Sequence, residues 1–216
     1  MNAADAIAAL RAEADPARAA EAAAYHKTTR EVLGLPVPRV TELANSLRAQ
    51  TTVDERIGLA RDLWAADIHE TRIAAAKLFV QARIRPDEGV WQLLTSWLPD
   101  FDGWAIADHV AQAGQRRLLA DPSRLDLVEG WTKAPAMWTR RAALVFTLPW
   151  TKQNFARPAD LAIRDRVLGW CGSYVPDRDW FIQKAIAWWI RDLSKHDPAR
   201  ARAFLDTHGE GLKPFA

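Results

Sequence analysis

One cysteine, Cys171, occurs in 216 residues. That excludes an intrachain disulfide and a zinc site built from cysteines. Apolar runs long enough to cross a bilayer are lacking, because Arg and Asp interrupt every hydrophobic stretch. The first residues, MNAADAIAALRAEADPARAA, are alanine-rich but place acids early and have no continuous apolar segment, so they do not read as a signal peptide. Nowhere does the chain show the apolar–polar alternation that a half-buried strand requires. These absences point to a cytoplasmic, helical protein with no membrane partner. Net charge is small as well, at +2, so global charge says little about partners.

What is present has the profile of a soluble globular chain: 49% apolar and 26% charged residues. The length suits one domain over residues 1–216, folded around a core or stretched into a repeat array. Charge is unevenly spread. Residues 130 to 200 carry 12 Lys and Arg against 6 Asp and Glu, an excess of six. A basic face on a near-neutral protein suits a polyanion, although a merely solvated face has the same composition. Eleven tryptophans are more than a core of this size needs. Most must fill space between helices, and a few are available for recognition.

Helix start signals recur. Thr52 with Glu55 and Asp67 with Glu70 have capping-box spacing. Pro86, Pro135 and Pro198 fit the first position of a helix, the last with Asp197 as its cap. Asp102 fits a cap and Gly114 a stop around the stretch WAIADHVAQA. Twelve helices follow, near 3–13, 16–30, 38–48, 53–65, 68–83, 87–98, 103–113, 123–131, 136–147, 159–171, 178–195 and 198–207. Four segments read as degenerate copies of one inner helix: TRIAAAKLFV, WAIADHVAQA, TRRAALVFTL and IQKAIAWWIR. They begin at 71, 104, 139 and 182. That period predicts an all-α, HEAT-like solenoid with a concave inner face, in preference to a non-repeating bundle.

Within FDGWAIADHV, Trp104 and Asp108 are four apart and share a helix face. A carboxylate one turn from an indole is either a surface acid paired with an arginine or a catalytic group beside an aromatic wall. The other inner helices offer Arg140 and Arg141 in MWTRRAAL, and Lys184, Trp188 and Arg191 in IQKAIAWWIR. Interleaved cations and rings on a concave face would suit phosphates and bases. Trp189 reads as core rather than site, and for Arg140 a pairing with a nearby acid is the alternative to a ligand contact.

Five segments, in order, resemble the HEAT-like DNA alkylation repair glycosylases, which remove N-alkylated purines. They are YHKTTREVLGLPVPRV (25–40), LWAADIHETRIAAAKL (63–78), Trp104 with Asp108, MWTRRAA (137–143) and DRDWFIQKAIAWWIRDLSKHDP (177–198). The chain departs from the family at Ala105, where an acid is frequent, and at Ala187, where a glycine is frequent. The resemblance implies that Asp108 is the catalytic carboxylate and that Trp104 and Trp188 flank the lesion. It implies that Arg141 or Arg140, with Arg191, holds the DNA backbone, and that Tyr25 lies near the same groove; Lys184 is added to the DNA-binding set by its place among the interleaved cations. Alkylated duplex DNA is then the partner, and no metal or cofactor is implied; a solenoid of this size is expected to be a monomer. A catalytically silent DNA-binding relative and a protein-binding helical scaffold remain as alternatives.

Overall fold

Helices begin where side chains satisfy the free N–H groups of the first turn, and this chain supplies such side chains repeatedly. The computed structural model describes residues 2–215. Among them are twelve α-helices, short 3-10 turns, and no strand beyond an isolated bridge between Glu31 and Ile68. The expected all-α class therefore holds. No helix among the described residues is long and apolar enough to cross a membrane. The chain divides into two compact units, one up to Ala120 and one from Asp121 onward.

The first unit holds α1 (Ala3–Ala12), α2 (Pro16–His26), α3 (Val37–Ala49), α4 (Val53–Ala65), α5 (His69–Lys77), α6 (Glu88–Ser96) and α7 (Trp104–Ala120). Thr52 and Glu55 form the expected capping box, and Asn2 with Asp5 forms another. Helix α5 is the centre. It packs on α3, α4 and α7, and every residue from His69 to Ala76 is buried. The run Ala74, Ala75, Ala76 lets neighbouring helices come close on several sides.

Several boundaries differ from the sequence expectation, among them the end of α5, which falls at Lys77 rather than near residue 83. Helix α2 ends at His26 rather than near residue 30, because Lys27 turns left-handed (φ 52°). Gly114 does not end α7. It lies buried inside that helix, and the turn beyond it is held by buried Arg117, which donates to the carbonyls of Gln81, Ala82 and Ile84. Asp67 and Glu70 are not a capping box either. Asp67 is itself left-handed (φ 54°), and the buried Glu70 carboxylate accepts from the backbone N–H groups of Leu33, Gly34 and Leu35 (2.9, 2.8 and 3.2 Å). Gly34 is required there. Its φ is +84°, and a Cβ would lie 2.4 Å from the Asp15 carbonyl oxygen.

The second unit holds α8 (Leu125–Trp131), α9 (Met137–Phe146), α10 (Pro158–Tyr174), α11 (Trp180–Ser194) and α12 (Pro198–His208). Helix α11 is its centre, packed on α9, α10 and α12. Pro198 opens α12 with Asp197 as cap, as the sequence indicates. Pro86 and Pro135 do not open helices. Asp87 and Ala136 are the caps that follow them, so each proline lies two residues before the first helical residue. Each unit thus brings together two of the four inner-helix segments that recur along the chain, α5 beside α7 in the first and α9 beside α11 in the second.

Candidate nucleic-acid interface and catalytic carboxylate

The position of Trp104 is set by the turn before it. Trp64 donates its indole N–H to Asp100 (2.8 Å), and Arg72 donates to the Asp100 carbonyl (3.3 Å). Arg72 lies 4.5 Å over the Trp64 ring, which stacks flat on Trp97 at 4.2 Å. Arg30, almost wholly covered, bridges Asp102 (3.0 Å) and Asp67 (2.6 Å). The expected capping residue Asp102 is therefore the anchor of an ion pair that ties the turn at 100–103 to the loop after α2. The Arg30 guanidinium also holds the Asp67 carboxyl below the usual carboxylate range.

With α7 started in this way, its core face is Ile106, Ala107, Val110, Ala111, Gly114 and Leu118, all buried. Trp104 and Asp108 fall on the other face and are half-buried. The ring of Trp104 meets Tyr25 edge-on at 5.9 Å and His26 at 5.1 Å. Tyr25 is 71% exposed. His26 stacks on His69 at 4.8 Å, and a shallow pocket is lined by His26, Arg30, His69, Asp102 and Trp104. Burial pushes the His69 and His109 imidazoles down to about 4, and pushes His26 down as well. The histidines around Trp104 and next to Asp108 are thus neutral at pH 7. No imidazolium is placed there to offset the charge of a carboxylate or to repel a cationic ligand.

Sequence reasoning did not find these histidines. They come from α2, α5 and α7, and no linear spacing links them. Tyr25 and Trp104, 79 residues apart in sequence, meet edge-on at 5.9 Å.

In the second unit the two adjacent tryptophans part ways. Trp189 is fully buried and donates to the Thr147 hydroxyl (3.2 Å). Trp188 is half-buried and donates to Asp192 (3.1 Å). Asp192 also draws in Lys152, Lys195 and Arg191, at 3.7, 3.5 and 4.0 Å. The Arg191 side chain stays 68% exposed. Lys184, one turn before Trp188, leans away toward the rings of Trp180 (4.8 Å) and Phe215 (5.3 Å). Arg140 is bound to Asp177 (3.0 Å) and to the carbonyls of Ala134 and Pro135. Arg141 is buried, with its guanidinium 5.7 Å from the Trp138 ring. Of the four cations expected to meet a ligand, Arg191 and Lys184 present open side chains, and the Arg140–Arg141 pair is built into the unit.

Comparison with known proteins adds to this geometry. A family model described as DNA alkylation repair enzyme matches residues 6–216. The chain is similar to a solved structure described as a predicted DNA alkylation repair enzyme from Enterococcus faecalis, with 21% identity and a TM-score of 0.76 over 93% of this chain and 92% of that one. It is also similar to AlkD2 from Streptococcus mutans, with 18% identity and a TM-score of 0.63 over 80% and 81%. A third similar structure is smu.31 from Streptococcus mutans UA159, with 19% identity and a TM-score of 0.62 over 79% and 83%. A search of curated proteins returns no match. At these identities the structures share the fold with this chain.

Proposed function

Because the chain belongs to the DNA alkylation repair enzyme family, we propose that it is an alkylpurine DNA glycosylase, a hydrolase acting on N3- and N7-alkylated purines in duplex DNA. A role in the repair of alkylated DNA follows from the family. The glycosylase reaction, its residues and a cytoplasmic place of action are our reading. The observation that carries it is the outward face of α7, where Asp108 lies one turn from Trp104, with Tyr25 against the same ring.

The chemistry suits those groups. Alkylation at N3 or N7 makes the purine cationic, so it departs as a neutral base and needs no acid. The N-glycosidic bond breaks, its electron pair goes to the base, and positive charge builds on the deoxyribose. A carboxylate facing that sugar stabilises the oxocarbenium-like state and orients a water. The water oxygen bonds to C1′, its proton is released, and an abasic site remains. Asp108 takes this role. Trp104 and Trp188 line the lesion, since an indole face favours a cation by roughly 0.5–2 kcal/mol. Arg191 and Lys184 meet phosphates, and Tyr25 borders the strand. Arg140 and Arg141 hold the start of α9 in place, and whichever reaches the backbone does so from a fixed position. We read residues 1–216 as one functional domain acting as a monomer, in keeping with a family match that runs over residues 6–216.

The test is release of free base from alkylated duplex DNA by the purified protein, beside undamaged duplex. We expect release of N3- or N7-alkylpurine and none of unmodified purine. An equal rate on both, or none on either, would overturn the reading.

A further inference from the structure

Phe155 is 96% exposed. It sits at the tip of the loop between the 3-10 turn Leu148–Lys152 and α10. The loop is not slack. Arg164, buried beneath it, donates to the carbonyls of Trp150 (2.8 Å) and Gln153 (2.6 Å). Asn154 is bonded to His196 at 2.6 Å, and Arg157 grips Asp160 through its backbone and side chain (3.2 and 2.9 Å). A phenyl ring is therefore held in water by residues fixed on both sides of it, and it contributes nothing to the core.

Its surroundings are cationic. Lys152, Arg157, Arg191 and Lys195 keep side chains 60–81% exposed, whereas the acids they touch, Asp160 and Asp192, are 10–11% exposed beneath them. The outer layer is positive and the compensating negative layer is inner. Through Asp192 this patch is continuous with Trp188, and through His196 it reaches Asn154 beside Phe155.

We propose that Phe155 is an aromatic contact to duplex DNA, packing against a base step of the strand whose phosphates are held by Lys152, Arg191 and Lys195. This rests on the reading of the chain as a DNA enzyme and extends the DNA-binding surface to a loop outside the resembling segments. A flat ring among cations matches a polyanion whose stacked bases offer a π-face where a step is opened, as at a lesion or an abasic site. Apolar side chains that enter base steps, and rings that stack on bases, are recurrent ways of holding nucleic acid. An isolated ring in a basic rim does not match an apolar protein partner, which needs a contiguous patch.

Binding of a fluorescently labelled duplex carrying a stable abasic site, across a range of salt, tests this in the full chain. Phe155→Ala should weaken binding about tenfold and leave the salt slope unchanged, because a ring displaces no counterion. Phe155→Trp should bind as wild type. Lys152→Ala should lower the slope by about one. Thermal stability should be unchanged in the Phe155 variants, so loss of binding is not loss of fold. Wild-type affinity in Phe155→Ala would overturn the proposal. If base release by wild type is normal in that case, the glycosylase reading stands and this inference alone falls. A wild type that binds the duplex through Phe155 yet releases no base does the reverse.

Discussion

Trp188 and Trp189 show how much one residue's surroundings decide. Trp189 fills the centre of the second unit, so Trp189→Ala should cost about 3–5 kcal/mol of stability, measured by denaturant unfolding. Trp188 is half-open and holds Asp192 by one hydrogen bond. Trp188→Ala should cost little stability and should slow excision. Equal stability losses in the two variants would contradict this assignment. The sequence placed Trp189 in the core, from helical spacing alone. It did not separate Arg140 from Arg141, because the acid that takes up Arg140, Asp177, stands 37 residues away and is brought there by tertiary packing. The histidines carry a further expectation. His69 and His109 have folded values near 4, below the ordinary imidazole value of about 6.5. The unfolded chain therefore binds more protons between those values. Stability is full above about pH 6.5 and falls as pH drops toward 4, with up to about 1.4 kcal/mol lost per pH unit for each histidine. Thermal melts from pH 7 to pH 4.5 check this, and His69→Gln should flatten the profile.

At the scale of elements, twelve helices were legible because caps and apolar periodicity are local signals. Two of the misplaced signals, at Glu70 and at Gly114, are overridden by distant groups. Asp67 and Glu70 have the spacing of a capping box, yet the Glu70 carboxylate is taken by three N–H groups of residues 33–35. Gly114 has the look of a stop, yet Arg117 binds carbonyls some 30 residues away and carries α7 onward. Glu70 thereby fixes the segment after α2 against the start of α5. Its removal strands three backbone donors that are otherwise satisfied, so Glu70→Ala should cost about 3 kcal/mol or more. The same variant should loosen Tyr25 and His26 against Trp104. Denaturant unfolding together with amide exchange at residues 31–35 reads both effects. A variant with wild-type stability would mean that the turn is held by other contacts.

At the scale of the whole molecule, the family was legible because five segments with particular residues stand in order, and the comparison over residues 6–216 agrees. What the sequence could not supply was the state of each cation: which is spent inside a unit and which faces solvent. DNA binding should weaken steeply with added salt. Arg191→Ala should reduce the slope by about one at unchanged thermal stability, whereas Arg141→Ala should lower stability first, because Arg141 is buried. A slope unaltered by loss of Arg191 would make that residue a structural partner of Asp192. The central claim is that the charge of Asp108 meets a developing positive charge on the sugar. Asp108→Asn keeps shape and removes charge. Base excision from alkylated duplex and thermal stability should be measured on one preparation of each protein. The account predicts that excision falls about 10² or more while stability and DNA affinity change little. Excision near wild type per folded molecule, with stability reduced, would contradict it and leave Asp108 as a structural acid.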